Sequence, residues 1–181
     1  VADLIRYRMS HERLVHRVAQ PELPTRHGGF RLLAYRSPLE KKTHLALVMG
    51  DIKPDRPVLV RVHVQNTLCD IFESTRDCGW PLRRVMDQVA AEGEGVIVVL
   101  RNYDTARDIV QRVQDYKWHS VEDKIPRHAK VQDDDDLRTI GVGAQILADL
   151  DVRKMRVMSA PKNLHALAGF DLEVVEFVDT D

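Results

Sequence analysis

The sequence predicts an α/β fold of mixed α+β character, with a β-rich first part followed by alternating helices and strands. Three observations carry that expectation. Residues 30–64 contain three short runs rich in β-branched and aliphatic residues, separated by charge. Residues 95–100, "GVIVVL", form a continuous apolar run of strand length. Beyond residue 80, helical periodicity alternates with further strand-like runs, as a layered α/β arrangement requires. With 181 residues, 44% of them hydrophobic and 30% charged, the chain has enough apolar surface to bury a core.

Residues 1–19, "VADLIRYRMSHERLVHRVA", place Leu4, Ile5, Met9, Leu14 and Val15 near one face of a helix. "QPELPTRHGG" (20–29) interrupts that pattern with two prolines and a glycine pair, and reads as a linker. "FRLLAYR", "HLALVMG" and "PVLVRVHV" then predict an antiparallel set of strands over 30–64. "LRRVMDQVAAEG" (82–93) predicts a helix stopped by Gly93, and 95–100 a buried strand. Residues 104–117 predict a helix with Ile109 and Val113 turned inward. The acidic stretch that follows, 120–139, has no periodicity and reads as a long loop. A helix over 140–150, the strand "KMRVMS" (154–159), the helix "NLHALAGF" (163–170) and the strand "LEVVEFV" (172–178) complete the chain. No internal repeat is present.

Charge excludes some function classes. The 27 Lys and Arg balance 28 Asp and Glu for a net charge of -1, so nothing global attracts nucleic acid or an anionic membrane. No apolar run approaches the ~20 residues needed to span a bilayer, and no signal-peptide pattern is present. Two cysteines do not make a disulfide framework, which favours a cytoplasmic location. The chain opens on Val1 directly in helical periodicity, which predicts a piece cut from a longer polypeptide.

The order of six segments carries a family resemblance. "LVMGDI" (47–52), "RVH" (61–63), "DCG" (77–79), "EGEGVIVVLR" (92–101), "DLRTIGVGAQIL" (136–147) and "GFDLEVVEFV" (169–178) together resemble GTP cyclohydrolase II, over roughly residues 24–178. Residues 1–25 are similar to the junction of fused riboflavin proteins, in which 3,4-dihydroxy-2-butanone 4-phosphate synthase precedes the cyclohydrolase. The resemblance therefore implies two regions. Residues 1–25 would be the tail of a preceding synthase domain with its linker, and 26–181 a GTP cyclohydrolase II-like domain. It also implies a homodimer, with the preceding synthase domain as a further partner.

The resemblance breaks where the family's chemistry is carried. The family holds a zinc with three cysteines, C-x10-C-x-C, directly after its "RVHSE", leaving one position open for an activated water. Here Asn66 stands where the first cysteine belongs, and Arg76-Asp77-Cys78-Gly79 is one residue shorter than the family's segment. Cys78 matches the last cysteine and the middle one is missing. An amide is a poor zinc ligand, so no metal or other cofactor is expected. A substitute site from Cys69, Cys78 and His63 is the competing reading. The family's glycine-rich "EGRGIG" has become Asn102-Tyr103-Asp104-Thr105-Ala106-Arg107, without the glycines that allow close approach of backbone to phosphate. Its "TNNPxK" turn is compressed to Ser159-Ala160-Pro161-Lys162-Asn163.

Some site positions persist. Tyr116, Asp136 and Arg138 match residues that the family uses in its catalytic machinery, and read here as vestigial. Their structural readings are a core-edge aromatic, a helix cap and a surface cation. Arg61, His63, Arg76, Arg101 and Lys162 are the weak candidates for ligand binding, and Arg61, Arg76, Arg101 and Arg138 could together hold a phosphate or carboxylate. Asp77, Asp104 and Asp136 are placed by the resemblance to pair with Arg61, Arg76 and Arg138 and narrow the cleft. The other histidines, His11, His16, His44, His119, His128 and His165, fall at no ligand spacing and read as surface or interface residues. Three functions compete: a non-catalytic domain that supports or regulates a fused synthase, an active cyclohydrolase with a rebuilt metal site, and a small-anion binding module.

Overall fold

One eight-stranded sheet organises the chain. The computed structural model describes residues 7, 11–75, 78–101, 106–118, 132–161 and 165–179, with side chains 106–108, 117–118, 132–138, 165–166 and 168 outside that description. The strands are β1 (His16–Ala19), β2 (Glu22–Thr25), β3 (Gly28–Ser37), β4 (Lys42–Met49), β5 (Val58–Val64), β6 (Gly95–Leu100), β7 (Lys154–Met158) and β8 (Glu173–Val178). The helices are α1 (Thr67–Asp70), α2 (Leu82–Glu92), α3 (Ala106–Trp118) and α4 (Gln132–Asp149), and His165–Phe170 forms a 3-10 turn. Spatial order across the sheet is β1-β3-β4-β6-β5-β7-β8, with β2 also on β3.

The β-rich beginning and the alternating continuation are both present, with one change of partner. β3 and β4 are antiparallel, as expected. β5 leaves that set: it pairs in parallel with β6 on one side and with β7 on the other. β6 sits between β4 and β5, and every residue in it but Val99 is buried. That position explains why its sequence is continuously apolar rather than alternating.

Two helices cover opposite faces. Val85 and Val89 of α2 pack with Trp80, Phe30, Leu47, Leu59 and Ile97. Val142, Ala144, Ile146 and Leu147 of α4 pack with Leu33, Val58, Val60, Val98 and Met155 on the other side. Gly93 ends α2 in the left-handed conformation, φ 76°, as the sequence predicts. Gly50 is also left-handed, φ 79°, and a Cβ there would meet the Gly93 carbonyl oxygen at 2.8 Å. The glycines of "LVMGDI" and "EGEG" are thus required by one tight backbone contact. In "IGVGAQIL", a Cβ on Gly143 would lie 3.4 Å from Val62, so α4 approaches β5 closely there.

The first 25 residues differ most from expectation. Residues 16–19 form a strand, not the end of a helix, and 22–25 form another, where a linker was expected. Together they run antiparallel along the edge of β3, first half to β2 and second half to β1, around the two-residue turn Arg26-His27. Pro24 is tolerated because an edge strand has no outer neighbour needing its N–H. Residues 1–6 and 8–10, including Leu4, Ile5 and Met9, lie outside the described residues. Val15 is buried in the main core and Leu14 packs against it. Gln145 of α4 clamps the backbone here, accepting from Leu14 N–H at 2.7 Å and donating to the Glu12 carbonyl at 2.7 Å. One turn further on, Asp149 accepts from the buried Tyr35 hydroxyl at 2.7 Å and from Arg17 Nη2 at 2.7 Å and Nε at 3.0 Å. Burial works to raise the Asp149 pKa, but the Tyr35 and Arg17 hydrogen bonds outweigh it and hold the carboxyl below its ordinary value. Burial, then the facing carboxylate, pushes the Tyr35 hydroxyl up.

Two helices also depart from expectation. α4 begins at Gln132, eight residues earlier than the periodicity indicates. The run Asp133–Asp136 lies in its first turns, where the helix dipole favours negative charge. α3 forms where expected, but Ile109, Val110 and Val113 are 41%, 54% and 53% exposed, so its apolar stripe faces outward instead of inward. Of the loop expected over 120–139, residues 120–131 lie outside the described residues and 132–139 belong to α4.

Candidate functional site

The topology marks one place. From β5 the chain passes through α2 to β6 on one side, and from β6 through α3 and α4 back across to β7 on the other. The carboxyl end of β5 is therefore the point where strand order reverses, the position at which open α/β sheets hold ligands. His63, Val64, Gln65 and Asn66 occupy it. The Gln65 N–H donates to the Leu100 carbonyl at 2.9 Å, extending the parallel pairing just beyond β5.

Arg61 and His63 lie on the α2 side of the sheet, since Leu59 packs there, Val62 packs on the α4 side, and side chains alternate. Arg61 Nη1 donates to the Met158 carbonyl, the last residue of β7, at 2.7 Å. Its Nε is buried without a hydrogen-bond partner, and burial lowers its pKa. The guanidinium thus ties β5 to β7 through a backbone carbonyl. The aspartates expected to pair with Arg61 lie outside the described side chains, so that pairing falls outside the description. Arg76, Asp77, Asp104 and Lys162 lie outside the described residues, as do the side chains of Asp136 and Arg138. Both of these last two fall in the first turns of α4, the helix on the opposite face from Arg61 and His63.

His63 is 4% exposed and faces Asp70, with Nε2 2.8 Å from Oδ1. Opposite a carboxylate, Nε2 is the donor, and Nδ1 is left buried with no partner. The other Asp70 oxygen accepts from the Asn66 N–H at 2.8 Å. Asn66 itself caps α1: its Oδ1 accepts from Leu68 N–H at 3.0 Å and from Cys69 N–H at 3.4 Å. Asn is among the preferred residues for this role. The position that the resemblance aligns with the family's first cysteine is a helix cap here.

Cys78, which the resemblance aligns with a family zinc ligand, is joined to Cys69 in a disulfide. Two cysteines gave no framework pattern in the sequence, yet here they are paired, and the substitute site needs both as thiolates. A disulfide sulfur is not a thiolate, and a metal of this class is bound by thiolate. Among the described residues no group of three His, Cys, Asp or Glu side chains is placed to hold a metal ion. The described residues do not fit zinc.

The remaining candidates are dispersed. Tyr116 is half-buried on α3. The Arg101 N–H donates to His44 Nδ1 at 3.1 Å, leaving His44 Nε2 to face Glu40 at 3.3 Å. His44, 4% exposed, is a core histidine satisfied from both sides and not a surface residue. A shallow depression of about 320 Å³ is lined by Arg36, Ser37, Pro38, Lys41, Lys42 and Thr43, and contains none of the expected site residues. Asp70 is the site residue that sequence reasoning missed. Its signal was Asn66 followed by an acid one turn later, a pattern that belongs to a helix start. The Tyr35–Asp149–Arg17 cluster gave no signal, since its members lie far apart in the chain.

Comparison with known proteins adds the following. The family model for GTP cyclohydrolase II matches residues 16–179. A 3,4-dihydroxy-2-butanone 4-phosphate synthase of Pseudomonas aeruginosa is 39% identical over 181 residues, covering 100% of this chain and 48% of that protein. The riboflavin biosynthesis protein RibBA of Aquifex aeolicus is 42% identical over 182 residues, covering 98% of this chain and 45% of the relative. The crystal structure of RibBX, a two-domain 3,4-dihydroxy-2-butanone 4-phosphate synthase from A. baumannii, superposes with a TM-score of 0.67 at 35% identity, covering 99% of this chain and 44% of that one. The chain thus spans about half the length of the relatives it matches.

Proposed function

The chain belongs to the GTP cyclohydrolase II family, and on that premise we propose that it is a domain which has lost the zinc site and the cyclohydrolase activity and now supports or regulates a fused 3,4-dihydroxy-2-butanone 4-phosphate synthase. The observation that carries this reading is the fate of the zinc positions. Asn66 caps α1 through its side-chain oxygen, Cys78 is bonded to Cys69, and the segment is one residue too short for the third ligand. A reaction that relies on a metal-activated water has no Lewis acid to use. What persists of the family's motifs is structural: Gly50 against Gly93, Gly143 against Val62, and Gln145 on the entering chain. One relative is named as a 3,4-dihydroxy-2-butanone 4-phosphate synthase and a solved one as a two-domain synthase, and each is about twice this chain's length, which supports the partner.

In this account the domain contributes to riboflavin biosynthesis in the cytoplasm without ring-opening chemistry of its own. The boundary proposed from the sequence, 1–25 as junction and 26–181 as domain, needs one refinement. β1 and β2 belong to the sheet, and Gln145 holds the chain at Glu12 and Leu14, so in this reading the junction proper precedes residue 12. Homodimerisation is part of the same proposal, supported by the outward apolar stripe of α3. The test uses the full-length protein. Deleting residues 12–181 should lower synthase turnover or its thermal resistance, whereas GTP should not be converted to the diaminopyrimidine by either form, with or without added zinc. A synthase indifferent to the deletion, or formate released from GTP, would refute the proposal.

A further inference from the structure

We propose that the depression at the turn between β3 and β4 binds the phosphate group of a small phosphate monoester. It lies apart from the carboxyl end of β5, and the proposal does not rest on the fate of the zinc positions. The chain here reads "RSPLEKKT" (36–43), with three cations and one acid. That acid is engaged elsewhere, since Glu40 faces His44 Nε2 at 3.3 Å. Arg36, Lys41 and Lys42 all line the depression, and none of them meets a carboxylate among the described residues. Other cations of the surface do find acids: Arg17 faces Asp149, Arg56 faces Glu94, Arg83 faces Glu73 and Arg156 faces Glu92. Three unpaired like charges around one opening repel one another, and a dianion held among them offsets that repulsion.

Ser37 supplies an independent observation. It is 1% exposed, it lines the depression, and its hydroxyl has no hydrogen-bond partner among the described residues. Buried hydroxyls are ordinarily paired, and a phosphate oxygen would accept from this one. Lys41 stands at φ 53°, a left-handed position where glycine or asparagine is the less strained choice, so the turn keeps a cation there against backbone preference. The lining is also held in place. Arg36 and Ser37 belong to β3 and pair in register with Thr43 and Lys42 of β4. The next residue of β4, His44, accepts from the Arg101 N–H at 3.1 Å and so ties this end of the hairpin to the end of β6. Groups fixed on paired strands need little ordering when a ligand arrives. The volume of about 320 Å³ is at the small end of ligand sites, about 300–1,000 Å³. It suits a phosphoryl group on a short carbon chain, with Pro38 as an apolar contact for that chain.

The experiment records amide NMR spectra of the 181-residue chain while glycerol 3-phosphate, inorganic phosphate or glycerol is added. Salt is kept at about 0.15 M, so that long-range attraction between exposed charges is screened. Glycerol 3-phosphate should give saturable shifts centred on residues 36–44, inorganic phosphate should bind at least threefold more weakly, and glycerol should give none. Lys41→Gly should weaken glycerol 3-phosphate binding at least fivefold with an unchanged or higher melting temperature, because glycine relieves the left-handed backbone. Arg36→Gln, at an exposed position, should weaken binding by a similar factor. Shifts that do not saturate or that centre elsewhere, inorganic phosphate binding as tightly as the ester, or full affinity in both variants would each overturn the proposal.

Discussion

Replacing Asp149 with alanine tests whether the entering strand is an integral part of the domain. The carboxylate takes a 2.7 Å bond from the hydroxyl of Tyr35, whose side chain is almost wholly buried, and two bonds from Arg17. A hydrogen bond to a charged group contributes about 1.5–3 kcal/mol, and the variant also leaves the Tyr35 hydroxyl buried without an acceptor. The Arg17 pair is more than a third exposed on the arginine side, so it adds no more than about 0–1 kcal/mol. The expected loss is about 2–4 kcal/mol in urea unfolding. Tyr35→Phe alone should cost about 1 kcal/mol, because Asp149 keeps Arg17. The two substitutions share one bond, so the double variant should fall short of the sum by about 1–2 kcal/mol. Acid provides a second reading of the same carboxylate. Its folded pKa lies below the ordinary value, so its contribution is complete above about pH 4 and is lost as pH falls through the folded pKa. The Asp149→Ala protein should lack that part of the acid-induced loss. Strict additivity of the two substitutions, or an Asp149→Ala cost below about 0.5 kcal/mol, would refute the clamp.

Other substitutions report on other contacts. Asn66→Ala removes the cap of α1 and should cost about 1 kcal/mol by urea unfolding, with no change in metal content. Gly50→Ala should cost about 2 kcal/mol or more, from the left-handed backbone and from the Gly93 carbonyl in the way of its methyl group; a neutral result would show that this contact is slack. Val113→Asp on α3 should leave unfolding free energy within about 0.5 kcal/mol, since the residue is exposed, while shifting light-scattering mass from dimer to monomer. An unfolding cost of several kcal/mol would mean instead that the stripe is packed within its own chain.

The parts of this fold that were legible in sequence are those whose pattern is set by burial. β6 reads as a strand because both of its faces are covered, and α2 reads to its last residue because Gly93 must be left-handed. β1 and β2 did not read as strands. All four residues of β1 are exposed, so alternation leaves no trace there, and two prolines in that stretch imitate a linker. The stripe on α3 was legible as amphipathic, but a hydrophobic period shows that a face needs covering and not which molecule covers it. At the site, the alignment of Asn66 with the family's first cysteine is legible from the resemblance alone. The role of Asn66 as a cap, the turn of His63 toward Asp70 and the reach of Arg61 to Met158 depend on how the strands are ordered. The disulfide was missed because a chain with two cysteines carries no framework pattern, and only the shape of the α1 turn brings the pair together.

The central claim is that the zinc positions have been rebuilt as a cap and a crosslink, and the most direct test is elemental analysis of the protein purified without chelator. With Asn66 capping α1 and Cys69 bonded to Cys78, the account predicts far less than stoichiometric zinc, and no formate from GTP when zinc is added. About one zinc per chain, retained through dialysis and lost in a Cys78→Ser variant, would contradict it.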